Sequence, residues 1–365
     1  SPGYLNGLQK TIEELKGTRE EMLKQAFEAI KSTVKWNDQE SLFTSNQTLG
    51  FPFKMKIGNS ADINLILFQL LKKLGFDVYL VALSTRENGF LSAFSPSLYK
   101  LNYVIVLAKI DEKSFLLDAS ETYMPYYLVP FRCLNYTGRI INEKVSETVN
   151  ISTPFKSKEF ATYNLKMGSD SRLQGSVILK KVDYAALDFR KKYKTFNSSD
   201  EYLEDYKKDK QGLQIFESTL YNLDSIYLPV IEDYRITINN QINEIGNEVY
   251  VLPMFYHQQI ENQFKLDSRK YPVDYGFNIE KTVTSSIEIP ENYEVSELPA
   301  TVKLKLPDNA ASLTYIVSQS GSIINVKSIF SINKIMFLPS EYDSLREFYD
   351  QVIKKHSEPI ILKRK

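Results

Sequence analysis

Cysteine and histidine are nearly missing from this chain. Cys133 is the only cysteine, and His257 and His356 are the only histidines in 365 residues. One cysteine excludes an intrachain disulfide and says nothing about redox compartment. With two histidines it also falls short of a Cys/His zinc cluster, so no metal is expected. Most hydrolytic and acyl-transfer chemistry relies on histidine, which makes the shortage informative about function. Net charge is absent as well: Lys plus Arg number 45 and Asp plus Glu number 45. That balance gives no long-range field to draw in nucleic acid or an anionic membrane, and neither is an expected partner. No window reaches the roughly 18 apolar residues of a membrane span. There is no Walker motif, Gly-rich dinucleotide fingerprint or H-E-x-x-H, so no cofactor is expected. The start "SPGYLNGL" lacks an initiator Met, which reads as a processed or trimmed chain. The basic end "ILKRK" reads as a solvated terminus.

What is present fits a folded protein, with 43% apolar and 25% charged residues. The length calls for two or three domains. In residues 18–34, Met22, Ala26, Ile30 and Val34 recur at steps of four and predict one apolar helical stripe. Trp36 follows, expected as a core plug at the helix end, the alternative being a substrate-facing aromatic. A second helix is expected from about Ala61 to Leu74, capped by Asn59 or Ser60, with Asp62 in its first turn and Gly75 as its stop. The runs "DVYLVALST", "LNYVIVLAKI" and "SFLLDAS" read as strands, the last two joined through "DEKS" as an antiparallel hairpin. Helices followed by antiparallel strands make an α+β domain, assigned to residues 1–145.

A polar stretch over 141–154 reads as a linker, and β-type runs dominate 146–365. They include "FATYNLKM", "GSVILKKVDYAAL", "EVYVLPMF" and "IINVKSIFSI", separated by Gly, Asn, Asp and Pro as in a β-sandwich. Two helical interruptions are expected, "SDEYLEDYKKDKQGL" and "SEYDSLREFYDQVIKKH". In the second, Tyr342, Leu345, Phe348, Tyr349 and Val352 share a face. An internal break is placed at 272–276, "PVDYG".

Gly58-Asn59-Ser60-Ala61-Asp62 opening a helix, then "NYVI" and "LLDAS" on successive strands, resembles the transglutaminase-like (papain-like) fold. In that family a Cys at a helix N-terminus, a His on one strand and an Asp on the next form the triad. The helix end lowers the thiol pKa, the His takes its proton and the Asp orients the imidazole. The segments "VKWND", "GNSADINLILFQLLKKLGFDVYLVALSTR", "LPATVKLKLPDNAASLTYIVSQSG" and "EYDSLREFYDQVI" also resemble multidomain Bacteroidetes proteins. Those carry transglutaminase-like regions flanked by β-rich domains of unknown function. The resemblance implies a further β-rich domain before this chain and a periplasmic or otherwise extracytoplasmic setting.

Carried over residue by residue, the Cys position falls on Ser60, the His position on Tyr103 (Asn102 being one residue off) and the Asp position on Asp118. A serine hydroxyl without an adjacent base is a weak nucleophile. A phenol, with a pKa of about 10, is a donor at neutral pH rather than a base. Losing the base alone forfeits roughly 10²–10⁴-fold in rate. On this reading Ser60 caps its helix and Asp118 bonds the Tyr103 hydroxyl or nearby backbone. Cys133, beside Arg132, reads as a buried inert thiol, and His257 and His356 as structural. Asp62, Asp118 and Glu121 are a weak candidate for a carboxylate cluster. The 24 Tyr and 21 Phe offer stacking surfaces, although in β-rich chains aromatics mostly pair across strands. The expectation is a non-catalytic binding or scaffold module for a peptide, protein or glycan, using a cleft between the Ser60 helix and the Tyr103 strand. The alternative is a hydrolase or acyl-transferase of altered triad using Ser60 and Asp118 with an unforeseen base. A third, architectural role would have that cleft filled by side chains.

Overall fold

Capping chemistry places the helices of the first half. Helix α1 (Asn6–Glu14) precedes α2 (Arg19–Thr33), which starts at a capping box: Glu21 N–H donates to the Thr18 hydroxyl, and Thr18 N–H donates to the Glu21 carboxylate. In this computed structural model, residues 2–91, 98–142 and 147–365 are described. The chain divides into two units, Ser1–Pro154 and Phe155–Lys365. Helix α2 buries Leu23, Ala26, Phe27 and Ile30, while Met22 is only partly buried and Val34 has left the helix as its C-cap. The expected stripe is part of that face: Ala26, Ile30 and Val34 are buried in one core and Met22 packs against it, while Leu23 and Phe27 widen the face at i+3 and i+4 spacing.

Next come β1 (Lys35–Trp36), α3 (Gly50–Met55), β2 (Ile57–Gly58) and α4 (Ser60–Lys73), with β1 and β2 paired in parallel. Helix α4 is buried along most of its length, at Ser60–Asn64, Ile66, Leu67, Leu70 and Leu71, in a core shared with α2. Gly75, at φ +75°, takes the left-handed conformation that ends it. Strands β3 (Asp77–Leu83), β4 (Tyr103–Ile110), β5 (Lys113–Leu117), β6 (Tyr136–Ile141) and β7 (Thr148–Ile151) form an antiparallel sheet in the order β5-β4-β3-β6-β7. Because Val106 pairs with Leu117, the same register carried one step further sets Asp118 opposite Ile105, on the face that Tyr103 shares. Part of the stretch read as a linker is β7, whose pairing with β6 keeps it in the first unit; residues 143–146 lie outside the described residues.

The second unit is mostly sheet. Its elements in chain order are β8 (Lys156–Met167), β9 (Leu173–Asp183), α5 (Tyr184–Tyr193), α6 (Ser199–Lys207), β10 (Leu213–Tyr221), β11 (Val230–Ile238), β12 (Ile242–Ile245), β13 (Glu248–Val251) and β14 (Val273–Asp274). There follow β15 (Asn278–Glu288), β16 (Tyr293–Glu297), β17 (Val302–Lys305), β18 (Ala311–Ser320), β19 (Ile323–Ile332), β20 (Met336–Phe337), α7 (Tyr342–His356) and β21 (Ile360–Arg364). An eight-stranded sheet, β10-β11-β9-β8-β15-β19-β18-β17, and a four-stranded one, β12-β13-β21-β16, contribute to one hydrophobic core. Helix α7 buries Tyr342, Leu345, Phe348, Tyr349 and Val352, the face its periodicity indicates.

Two local differences from the sequence reading have physical causes. The run 175–187 is not all strand: β9 stops at Asp183, whose φ of +53° breaks the extended chain, and α5 begins at Tyr184. The second unit also runs through 272–276, where β14 pairs with β20. The chain combines helices with largely antiparallel sheets, an α+β composition. Among the described residues, no helix is long and apolar enough to cross a membrane, which says nothing about β-barrels.

Candidate functional site

The entrance to α4 is held from both sides. Asn59 is the cap: its side-chain oxygen accepts from Asp62 N–H at 2.8 Å, and the Asp62 carboxylate accepts from Asn59 N–H at 3.0 Å. A Cβ on Gly58 would lie 2.8 Å from that of Asp62, so this close approach needs glycine. Ser60 is the first helical residue rather than the cap, and it is fully buried. Its hydroxyl accepts from Ser41 N–H at 2.9 Å and donates to the Ser41 carbonyl at 3.2 Å. Asp62 also accepts from Ser45 N–H at 3.0 Å and its hydroxyl at 2.6 Å, and Asn59 donates to the Phe43 carbonyl at 3.0 Å. The loop after β1 is therefore tied down onto the helix end at three residues. Among the described residues, Ser60 Oγ has no His, Lys or carboxylate partner that would act as a base.

Tyr103 and Asp118 do meet. The Tyr103 hydroxyl donates to Asp118 Oδ2 at 2.8 Å and lies 3.1 Å from Ser120 Oγ. Asn64, one turn along α4 from Ser60, donates to Asp118 Oδ1 and to the Val104 carbonyl, both at 3.0 Å, and accepts from Ala119 N–H at 2.9 Å. Ser120 N–H also donates to Asp118 Oδ1 at 3.0 Å. All of these side chains are buried.

Arg132 joins the cluster from a short turn at Phe131–Cys133. Its Nε and Nη2 donate to the Tyr103 hydroxyl at 3.1 and 2.9 Å. Nη2 also reaches Ser120 Oγ at 2.8 Å and Asp118 Oδ2 at 3.3 Å, and Nη1 donates to Glu121. Glu40 lies 3.7 Å from Nε, and the guanidinium sits 4.6 Å above the Trp36 ring. Trp36, half-buried in β1, packs against the core of the first unit with one side and supports Arg132 with its ring.

The protonation states follow from this packing. Burial, then the Asp118 charge, push the Tyr103 phenol well above its ordinary value, so it stays a donor. With its proton on Asp118 and Arg132 donating twice to its oxygen, the hydroxyl has no capacity left to accept a proton. Burial opposes the Arg132 charge, yet the Asp118 carboxylate, with Glu121 adding to it, holds its pKa above the guanidinium's ordinary value. Cys133 is fully buried, and burial followed by the Asp118 charge pushes its thiol well up, the opposite of an activated nucleophile.

The other sequence candidates separate. Asp62 serves the helix cap and Ser45, while Asp118 and Glu121 share Arg132, so the three carboxylates have different partners. Among the described residues, no three His, Cys, Asp or Glu side chains are placed to hold a metal ion. His257 bonds Tyr163, and His356 bonds Ser328 and Gln259, all within the second unit. The expected cleft is occupied: Ser60 is covered by the loop at Ser41, and Tyr103 and Asp118 by Arg132. Neither Arg132 nor Asn64 was singled out as a site residue by sequence. The one available signal was Arg132 adjoining Cys133 in a chain poor in other chemistry.

Comparison with known proteins bears on fold more than on activity. A domain family of unknown function, DUF3858, matches residues 247–362. No curated protein matches the chain. Among solved structures, it is similar to a protein from Parabacteroides distasonis described as a "putative protease", at 13% identity and a TM-score of 0.57. The match covers all of this chain, which spans 56% of that one. At that identity the likeness is one of fold, and the fold is that of a chain considerably longer than this one.

Proposed function

We propose that the first unit is a transglutaminase-like domain whose triad positions have become structural, and that the chain is a non-catalytic scaffold module that meets a peptide, protein or glycan outside the filled cleft between the Ser60 helix and the Tyr103 strand. The observation that carries this reading is Arg132, a partly buried cation that donates twice to the Tyr103 hydroxyl and shares Asp118, whose other bonds come from Asn64, Ser120 and Tyr103. The second hold, Ser60 on the Ser41 backbone, removes the remaining hydroxyl from reach of any base. The order of elements also supports it: a capped helix end, then β4, then β5 with Asp118 just past its end, in an antiparallel sheet. Phe43, Phe51, Met55 and Ile57, which flank the α4 entrance in the chain, are each more than half exposed and supply contact surface for a binding role. An extracytoplasmic setting belongs to the same proposal and rests on the resemblance to multidomain Bacteroidetes proteins.

The test is an amine-incorporation and peptide-hydrolysis assay on the wild type beside Ser60→Ala and Asp118→Ala. The expected result is no turnover above background in any of the three. Turnover in the wild type that disappears in a folded Ser60→Ala variant would make the chain a serine enzyme and overturn the proposal.

A further inference from the structure

The second unit contains a cavity of about 310 Å³, a volume at the small end of ligand sites. Its walls come from β8, β9, β15 and β19 of the large sheet, from α6 and α7, and from residues 254–259. Both histidines of the chain are in these walls. Four lysines line it, Lys180, Lys181, Lys210 and Lys281, against one carboxylate, Glu159.

The lysines are not equivalent. Lys181 is paired with buried Glu232, and Lys281 lies 3.5 Å from Glu159 at an exposed position. Lys180 is exposed, 5.8 Å from the centre of the Phe160 ring. Lys210 is partly buried, its ammonium 2.8 Å from the Tyr206 carbonyl and 3.9 Å over the Tyr206 ring. Among the described residues it has no carboxylate partner. Burial depresses its pKa, as expected for an ammonium short of compensation.

The histidines differ in the same way. His356 Nδ1 accepts from Gln259 N–H at 3.1 Å, so its proton is on Nε2 and goes to Ser328 Oγ at 3.0 Å. Both of its nitrogens are used. His257 Nδ1 lies 2.8 Å from the hydroxyl of buried Tyr163, which has no other acceptor among the described residues. With the phenol donating to Nδ1, His257 carries its proton on Nε2, for which the described residues supply no acceptor. Burial, then Lys181, Lys210 and Lys281, hold this imidazole neutral, with a pKa of about 3.

We propose that the cavity is a binding site for a small organic carboxylate with an aromatic or aliphatic body. Its carboxylate meets the Lys210 ammonium, with His257 Nε2–H as a second donor, and its body lies among Tyr206, Tyr256 and Phe330. One ammonium without a carboxylate partner among the described residues, beside aromatic walls, matches a singly charged ligand with an apolar part better than a bare multivalent anion. The site is independent of whether the first unit catalyses anything. The matched family segment, 247–362, supplies only part of the walls; Ala161, Tyr206 and Lys210 come from before it.

The probe is 3-phenylpropionate, with 3-phenylpropanol as its uncharged counterpart, titrated into the full chain by calorimetry. With only two histidines, ¹⁵N-histidine labelling adds a local reporter at the cavity. The expected result is saturable 1:1 binding of the acid, at least tenfold weaker binding of the alcohol, and a His257 ring signal that moves with the same Kd. Lys210→Met should weaken the acid at least tenfold and leave the alcohol unchanged. No saturable binding at 10 mM, equal binding of acid and alcohol, or a histidine spectrum unmoved at saturation would each overturn the proposal.

Discussion

The Arg132 cluster in the first unit and the lysine-lined cavity in the second contain similar chemistry in opposite states. Around Arg132, Tyr103, Asp118 and Ser120, each polar group meets another at hydrogen-bond distance and little of any side chain is exposed. Around the cavity, Lys210 and His257 keep donors that the described residues do not use, and they do so beside about 310 Å³ of space. A group of charged side chains is thus weak evidence of a functional site when its hydrogen bonds close on themselves. Spare donors facing a volume are stronger evidence, even without any recognisable motif.

The contrast is measurable as stability. Arg132→Met should cost about 3–5 kcal/mol, because it takes the cation away from buried Asp118. Lys210→Met, removing a cation without a carboxylate partner, should change stability by less than about 0.5 kcal/mol. Urea unfolding of the two variants compares them directly, and similar costs would erase the distinction.

A second effect comes from pH. His257 and His356, with pKa values of about 3 and about 4 in the folded chain, lie below the ordinary 6.5 because they are buried. As pH falls through 6.5 the unfolded chain binds protons that the folded chain refuses. Stability is therefore complete above pH 6.5 and falls toward the folded values, by roughly 1.4 kcal/mol per pH unit for each histidine. Between pH 6.5 and 5 the loss should approach about 2 kcal/mol each in the second unit, and a His257→Gln/His356→Gln variant should flatten that slope. Ser60→Ala should cost less, about 1 kcal/mol, since it removes the acceptor of Ser41 N–H and a long bond to the Ser41 carbonyl. A loss above about 3 kcal/mol in urea unfolding would mean that the covering loop is coupled to the whole core.

The parts of the fold visible in the sequence are those decided locally. The α4 caps follow from Asn59 and Asp62 at capping-box spacing, and the α7 core face from its period. The approach of Tyr103 to Asp118 is legible from a short hairpin that sets their strands in antiparallel register. Arg132 was not legible, because it enters from a short 3₁₀ turn whose course no periodicity specifies. Nor was the loop covering Ser60, since its hold depends on backbone atoms of Gln39, Ser41 and Phe43 that any residue would supply. The cavity was hidden for a different reason. Lys210, His257 and His356 are far apart in the chain and come together only when α6, residues 254–259 and α7 gather on the large sheet.

The most direct measurement is active-site labelling of the folded wild type with a fluorophosphonate, with iodoacetamide in parallel, both mapped by mass spectrometry. If the triad positions are structural, Ser60 stays unlabelled because no base activates it, and Cys133 stays unlabelled because its thiol is buried and neutral. Stoichiometric fluorophosphonate on Ser60, absent from Ser60→Ala, would show an activated nucleophile at the α4 entrance and contradict the structural reading of Arg132, Tyr103 and Asp118.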